Sequence, residues 1–334
     1  MQTIDYVWLD SNKRFRWKTR IYSANCIENV PEWNYDGSSC GQTGSLEDTE
    51  VILKPIFICQ DPFRNSGASK IVLCETYKRN MHLPSNTRGP ANMIFLKGKD
   101  KKPWFGIEQE YFIVDPLFKN VMGCHSPDFT LIPKQGEFYC KMGNKWGREI
   151  AEQHLQYCLR AGLKMSGMNA EVAPGQWEYQ IGPCEGIEAA DQLLVSRYIL
   201  ERIAEEHGKS ISWSPKISPK LNGSGCHINF STEKMRNKDG ITEIVTAISY
   251  LKANHAEHML MYGEDNVKRM TGDYETSSYY EFTWGYGTRN TSIRIGNETV
   301  KNKKGYFEDR RPAANMDPYL ATGMLLKTSC NITI

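Results

Sequence analysis

The spacing of apolar positions changes along the chain, and the change divides it. Residues 5–85 hold short apolar runs at 6–9, 51–53, 56–59 and 71–74, separated by turn-rich stretches. β-Branched and aromatic residues dominate these runs, so they predict strands, with no long helix among them. Residues 80–103 carry Pro84, Gly89, Pro90, Gly98 and Pro103 among polar residues. This predicts a connecting loop, with domains at 1–85 and 86–334. Beyond it, strands alternate with helices. Ile150, His154, Tyr157, Cys158 and Ala161 recur at helical spacing within 149–162, and Gly162 is a natural stop. Residues 187–207, ended by Gly208, predict a second helix, and the stripe Ile241, Ile244, Ile248 and Leu251 a third. No internal repeat or low-complexity segment interrupts the pattern.

Within the second region, residues 104–111 read Trp-Phe-Gly-Ile-Glu-Gln-Glu-Tyr, followed by Phe112, Ile113 and Val114. A strand alternates its faces, so Glu108 and Glu110 share one face and Ile107, Gln109 and Tyr111 the other. Two carboxylates on a dry face raise each other's pKa or require a cation. Residues 169–182 add a second acidic pair. If Pro174-Gly175 closes a two-residue hairpin, Ala173 faces Gln176, Val172 faces Trp177, and Glu171 faces Glu178. A longer loop would keep the parity. Four carboxylates then have reason to converge on a cation.

Composition narrows the classes. The 334 residues are 40% hydrophobic and 24% charged, with 41 basic and 39 acidic residues and a net charge of +2. There is no basic surplus for a nucleic-acid groove. Ten cysteines contain no Cys-x-x-Cys pair, which speaks against structural zinc and for reduced thiols in the cytoplasm. The first ten residues, acidic and strand-like, do not read as a signal or transit peptide. The apolar run 51–59 is broken by Lys54 and Pro55, and none reaches the roughly 18 residues of a membrane span.

His227 lies in Asn222-Gly223-Ser224-Gly225-Cys226-His227. The glycines allow close backbone approach, but Ile228 stands where a dinucleotide fingerprint needs its third glycine, and no phosphate-cradling Gly-x-x-x-x-Gly-Lys loop exists. Phosphates would have to be held by metals and arginines. Arg269, Arg289, Arg294, Arg310 and Arg311 are available. Arg289 and Arg294, five apart, would face opposite sides if they shared a strand. In Glu32-Trp33-Asn34-Tyr35-Asp36-Gly37, Asp-Gly marks a turn, and Trp33 and Tyr35 are expected to be exposed and to suit an interface.

Taken in order, 32–39 (Glu-Trp-Asn-Tyr-Asp-Gly-Ser-Ser), Asp61-Pro62-Phe63-Arg64, 104–111, 169–186, 222–231 and 304–312 (Lys-Gly-Tyr-Phe-Glu-Asp-Arg-Arg-Pro) resemble the glutamine synthetase family, in its eukaryotic-type class. The resemblance runs from about residue 5 to 320. It implies an α+β protein, with an N-terminal β-grasp domain and a catalytic domain of curved antiparallel sheet and flanking helices. It implies glutamine formation from glutamate, ammonium and ATP through γ-glutamyl phosphate. It also implies Mg²⁺ or Mn²⁺, two or three ions to a site. Glu110, Glu171 and Glu178 would hold one ion near glutamate and ammonium. Glu108, His227 and Glu308 would hold another at the phosphates. Arg269, Asn222 and Gly223 would bind the amino-acid end of glutamate. Arg289, Arg294 and Arg310 would meet the transferring phosphoryl group, and Trp104, Pro183, Asn229, Ser231 and Tyr306 would line the nucleotide site. Asp36 would take a proton from ammonium, and Glu275, on a flap, would close the site. The family assembles as a homodecamer of two stacked rings, with Asp36 of one subunit facing the metal-binding glutamates of the next. No nucleic-acid or membrane partner is implied.

Three features depart from the family pattern. Tyr274 stands where the class has His before the flap glutamate, Ile295-Gly296-Asn297 replaces Ile-Pro-Arg, and Lys220-Leu221 replaces Asn-Trp. The chain also starts almost at its first strand, without the helix usual in the class. Two other readings stay open: a ligase of the same superfamily that uses a different amine, and a non-enzymatic relative.

Overall fold

A computed structural model describes residues 1–23, 29–44, 47–64, 67–79, 81–117, 120–124, 134–143 and 146–333. They form two compact units. The first comprises Met1–Ala91 with Tyr157–Leu163. Its six strands are β1 (Gln2–Leu9), β2 (Phe15–Tyr22), β3 (Trp33–Asp36), β4 (Glu50–Gln60), β5 (Lys70–Lys78) and β6 (Met81–His82). The sheet runs β2-β1-β5-β4-β3, with β6 on β5, and only the β1–β5 pair is parallel. Ile4, Tyr6, Trp8, Val51, Leu53 and Val72 form its core. Asp5, also buried, is matched by Arg64 at 2.8 Å and by the Thr19 hydroxyl at 2.7 Å. A buried carboxylate persists only with such partners.

Two expectations change here. The runs at 51–53 and 56–59 are one strand, β4, whose register shifts between Pro55 and Phe57. β3 pairs with β4 only as far as Leu53, and Pro55 sits at the irregularity in the β4–β5 ladder, where proline is tolerated. The aromatics beside Asp36 are not exposed. Tyr35 is 8% accessible, stacked on Trp8 and hydrogen-bonded to Gln42, and Trp33 packs edge-on to Tyr6 under Lys18. Strand alternation turns both rings away from Asp36, which is itself exposed.

The second unit comprises Asn92–Gln156 and Lys164–Ile334. Its strands are β7 (Trp104–Asp115), β8 (Asn120–Val121), β9 (Met165–Ala170), β10 (Gln176–Glu185), β11 (Ser210–Ser212), β12 (Cys226–Ser231), β13 (Trp284–Tyr286), β14 (Ile293–Ile295) and β15 (Phe307–Asp309). They run β13-β14-β15-β12-β7-β10-β9, with β8 and β11 added to β7, and every pair but β13–β14 is antiparallel. The helices of the described residues are α1 (Arg88–Lys97) and α2 (Arg148–Ala161), whose first and last turns respectively fall in the first unit, and α3 (Glu188–Glu206), α4 (Glu233–Arg236), α5 (Ile241–Ala253), α6 (His255–Met261), α7 (Asn297–Asn302) and α8 (Pro318–Ser329). The α2, α3 and α5 bounds follow the apolar stripes, with Gly162 and Gly208 at positive φ just past α2 and α3. α1 lies in the stretch expected to be a loop. Its Pro90 sits in the first turn, where no intrahelical N–H is needed. No helix among the described residues is long and apolar enough to cross a membrane. The nine described cysteines are free thiols.

β7 is the spine of the second unit. Its Ile107, Gln109 and Tyr111 are buried on one face. There the Gln109 side-chain Oε1 accepts from Arg197 of α3 at 2.6 and 2.8 Å, while Arg197 also donates to the Ala314 and Met316 backbone carbonyls. This buried network fixes the strand's rotation, and so fixes where Glu108 and Glu110 emerge on the other face.

Candidate active site

Cross-strand register assembles the site. On β7, Glu110 is opposite Glu178 of β10, and Glu108 is opposite both Gln180 of β10 and His227 of β12. Asn229, two residues on, is opposite Glu308 of β15, which is opposite Arg294 of β14. Opposed residues share a face, so five strands present one acidic row. Donor atoms of Glu108, His227 and Glu308 lie within 4.8 Å of one another. His227 Nδ1 is 3.5 Å from both Glu108 and Glu308, and its Nε2 is 4.0 Å from Glu110. These contacts are not ion pairs. Burial, and then Arg310, push the imidazole down to about 3, so it is neutral and its lone pair is free for a cation.

The hairpin between β9 and β10 is longer than two residues. Glu171 N–H donates to the Gln176 carbonyl, and Glu178 faces Asn169 rather than Glu171. The slide is even, so both glutamates keep the face they were expected to share. Glu110, Glu171 and Glu178 are each held well above the usual carboxylate range, first by burial. Repulsion adds to it: Glu171 acts on Glu110, Glu275 on Glu171, and Glu108 and Glu110 on Glu178. Six donors of carboxylate and imidazole type on one buried face match a hard divalent cation.

The arginines lie around this row. Arg310 donates to Glu308 at 2.6 Å and to the Arg289 carbonyl at 3.1 Å, and Arg294 is 3.5 Å from Glu308. Arg289 lies outside β14, in the preceding loop, and pairs with Glu275 at 2.8 Å, so the expectation based on a shared strand does not apply. Glu275 and Tyr274 sit on an exposed turn at positive φ, closed by a bridge between Thr271 and Ser278. Arg269 is buried. Its Nη2 donates to the Arg310, Arg311 and Pro312 carbonyls and its Nε to Asn266, and among the described residues no hydrogen bond involves its Nη1. A Cβ at Gly223 would lie 2.5 Å from the Arg269 side chain, and one at Gly225 2.5 Å from His227. Those glycines make room for the site's own side chains.

A cavity of about 380 Å³ adjoins the row, lined by Trp104, Gly106, Pro183, Asn229, Ser231 and Tyr306 among others. Asn229 joins the two, because it lines the cavity and donates to Glu108 at 2.7 Å. Asp36 belongs to the first unit. It caps a single 3₁₀ turn, Gly37–Cys40, and hydrogen bonds from Ser38 hold its carboxyl below the usual range.

Sequence reasoning missed four residues. Gln176 donates to Glu110 at 3.2 Å and to the Gly223 carbonyl at 2.9 Å, and Gln180 donates to Glu178 and Asn169. The period-two stripe Gln176, Glu178, Gln180 was a readable signal. Gln135 bridges the Asn222 N–H and the Lys220 carbonyl, and Arg236 stacks 4.0 Å over Trp104. Neither carried a local signal.

A mixed α+β unit whose sheet gathers acidic donors and arginines beside an aromatic-walled cavity defines a metal-dependent, phosphate-handling enzyme. The chain belongs to the glutamine synthetase family: the family model described as "Glutamine synthetase, catalytic domain" matches residues 91–331. A cytosolic isozyme of glutamine synthetase from Daucus carota is 44% identical over 333 residues, covering 97% of this chain and 94% of that protein. Glutamine synthetase of Tuber borchii is 45% identical over 332 residues, covering 98% and 91%. In fold, the chain is similar to the Plasmodium falciparum glutamine synthetase structure, with a TM-score of 0.78 at 14% identity, covering 98% of this chain and 71% of that one.

Proposed function

We infer that the chain joins ammonia to the γ-carboxylate of L-glutamate with ATP, giving L-glutamine, ADP and phosphate. One observation carries the reading for the site: the clustered Glu108, His227 and Glu308 donors, linked through Asn229 to the neighbouring cavity. ATP would occupy that cavity between Trp104 and Tyr306, with Pro183, Asn229 and Ser231 on its walls. Glu108, His227 and Glu308 would hold a Mg²⁺ or Mn²⁺ ion at its phosphates, and Glu110, Glu171 and Glu178 another toward glutamate. Such ions neutralise phosphate charge during transfer. Arg289, Arg294 and Arg310 supply further positive charge to the phosphoryl oxygens. The Arg269 Nη1 side, with Asn222 and Gly223, orients glutamate by its α-carboxylate.

A carboxylate is a poor electrophile, because its leaving group would be oxide. Attack of the γ-carboxylate oxygen on the γ-phosphorus releases ADP and makes γ-glutamyl phosphate. The ammonia nitrogen then attacks the acyl carbon that bears the phosphate, and phosphate leaves with the C–O electron pair. Asp36, held ionised by Ser38, suits the capture of ammonium by charge and takes its proton, which frees the nitrogen lone pair for attack. Glu275 on its turn closes over the acyl phosphate and keeps water out. Phosphate release with glutamate, ATP and a panel of amines tests this. Ammonium should be the best acceptor, with glutamine as product. A better small amine would overturn the choice of acceptor, and no turnover with any amine would make the chain a non-enzymatic relative.

Tyr274 allows a finer test. Its ring lies 4.2 Å from Lys216, at φ 51°, a backbone region that histidine occupies more readily than tyrosine. Tyr274→His should fold normally and change the glutamate KM more than kcat, because an imidazole can carry charge where a phenol stays neutral. A large kcat loss at unchanged KM would contradict this.

The sheet order and the parallel β1–β5 pair support a β-grasp reading of the first unit. The division at 85/86 is supported by the two sheets, whose strands fall at 2–82 and 104–309. Cytoplasmic residence fits the free thiols. For assembly we propose a homodecamer with Asp36 completing the neighbouring subunit's site. Asp36→Ala and Glu171→Ala should each be nearly inactive. Co-refolded in equal amounts, they should recover roughly a quarter of wild-type activity, since about one interface in four pairs two intact halves. Mixed assemblies without recovery would refute the shared site.

A further inference from the structure

Two consecutive residues of the flap turn, Tyr274 and Glu275, have positive φ, 51° and 66°. The Thr276 N–H donates to the Asp273 carbonyl at 3.1 Å, so they are the two central residues of a four-residue turn. Asn and Gly take such positions at least cost, and a bulky side chain there is strained. Strain of this kind persists only where the surroundings hold it, and it gathers at functional sites. Glu275 is held by Arg289 at 2.8 Å, and its carbonyl accepts from Arg310 at 3.5 Å. Tyr274 has a different partner. Lys216 Nζ lies over its half-exposed ring, 4.2 Å from the ring centre.

Lys216 is half-buried, and burial alone draws its ammonium below the usual lysine range. Among the described residues no carboxylate pairs with it, so the negative face of the Tyr274 ring is the surface its charge meets. We propose that Lys216 is a positioning residue for the reaction: by holding the Tyr274 ring it keeps the neighbouring Glu275 over the acyl phosphate. This rests on the flap reading of Glu275 above.

The segment around Lys216 also supports the loop assigned to the amino-acid end of glutamate. The Pro215 carbonyl accepts from Ser224 N–H at 2.9 Å, and the Ser218 carbonyl accepts from Leu221 N–H at 3.2 Å. A Cβ on Gly223 would lie 3.0 Å from the Pro215 oxygen. The Lys216–Tyr274 contact therefore ties the flap to the loop that bears Asn222 and Gly223. When the flap lifts, water reaches the intermediate. The water oxygen bonds the acyl carbon, and phosphate leaves with the C–O electron pair. Of the two water protons, one passes to phosphate and one to solvent. Glutamate is returned, and ATP is consumed without glutamine.

The test measures the excess of phosphate released over glutamine formed, with the whole enzyme at limiting ammonium. Lys216→Met should raise this leak about threefold, the scale of one half-exposed cation–π contact. Its kcat at saturating ammonium should change less than the leak. Lys216→Arg keeps a cation over the ring and should bring the leak back toward wild type. Tyr274→Phe keeps the ring and should not leak. Tyr274→Asn removes the ring while easing the positive-φ backbone, and it should leak as Lys216→Met does. The double variant, Lys216→Met with Tyr274→Asn, should leak no more than either single one, because both break the same contact. Glu275→Ala is the reference for an open flap. If it does not leak, the flap reading fails and this proposal with it. If it leaks and Lys216→Met does not, only the role of Lys216 is wrong. A higher glutamate KM in Lys216→Met at unchanged leak would make Lys216 a substrate contact and overturn the proposal. A double variant whose leak is the product of the two single effects would overturn it as well.

Discussion

Glu178→Gln is expected to abolish glutamine formation while making the metal-free protein more stable. Glu178 is held protonated by burial and by Glu108, Glu110 and Glu171 around it. At alkaline pH that cluster must either ionise, against its own repulsion, or bind a cation. A neutral amide of nearly the same shape needs no proton taken up on folding and keeps the hydrogen-bonding edge that meets Gln180. Metal-free Tm at pH 9 should therefore rise, and the increase in Tm on adding Mg²⁺ or Mn²⁺ should shrink. Activity should fall by about a thousandfold, the scale of several kcal/mol of lost transition-state stabilisation. His227→Ala should lose activity similarly, but without the gain in metal-free stability, because His227 is already neutral. Wild-type enzyme in excess EDTA should be inactive and recover on adding Mg²⁺ or Mn²⁺. Full activity in EDTA, or a metal-free Glu178→Gln less stable than wild type at pH 9, would remove the case for a cation in this cluster.

What was legible in the chain was mostly parity. The alternation of Glu108 and Glu110 against Ile107, Gln109 and Tyr111 needs only the two-residue period of a strand, and β7 has it. Glu171 and Glu178 kept their common face although the turn was misjudged. Pro174-Gly175 favours a type II geometry that splays strands, so the chain uses a longer loop, and the resulting slide of two residues leaves parity intact. Registers between distant strands were not legible. Nothing local says that β12 places His227 beside Glu108, or that β15 places Glu308 beside Asn229. Those positions came from resemblance to a family. Neither route reached Gln135 or Arg236, whose work is to hold a loop and a ring from elsewhere in the sequence. The burial of Tyr35 was missed because an aromatic next to a turn reads as exposed until the core beneath it, here Trp8 and Gln42, is known.

The stability of the metal-free enzyme should fall as pH rises from about 5 to 9, and bound metal should flatten that slope. Glu110, Glu171 and Glu178 all have folded-state pKa values above the unfolded value of 4.5. The native protein thus binds these protons more tightly than the unfolded chain does. Their contribution to stability is complete below 4.5 and is lost as pH climbs toward the raised native values. Metal binding works in the opposite direction. It needs the carboxylates ionised, so affinity grows over the window in which the metal-free protein weakens. The Tm difference between metal-saturated and metal-free enzyme should therefore widen steadily from pH 5 to pH 9, each tenfold gain in affinity adding about 1.4 kcal/mol at saturating metal. Removing one raised group in Glu110→Gln should flatten the metal-free slope. Thermal unfolding at fixed ionic strength across that range, with Mg²⁺ and with EDTA, measures both limbs. A gap that stays constant or narrows with pH would mean that these glutamates do not exchange protons for a cation, and the Glu110, Glu171 and Glu178 metal site would have to be abandoned.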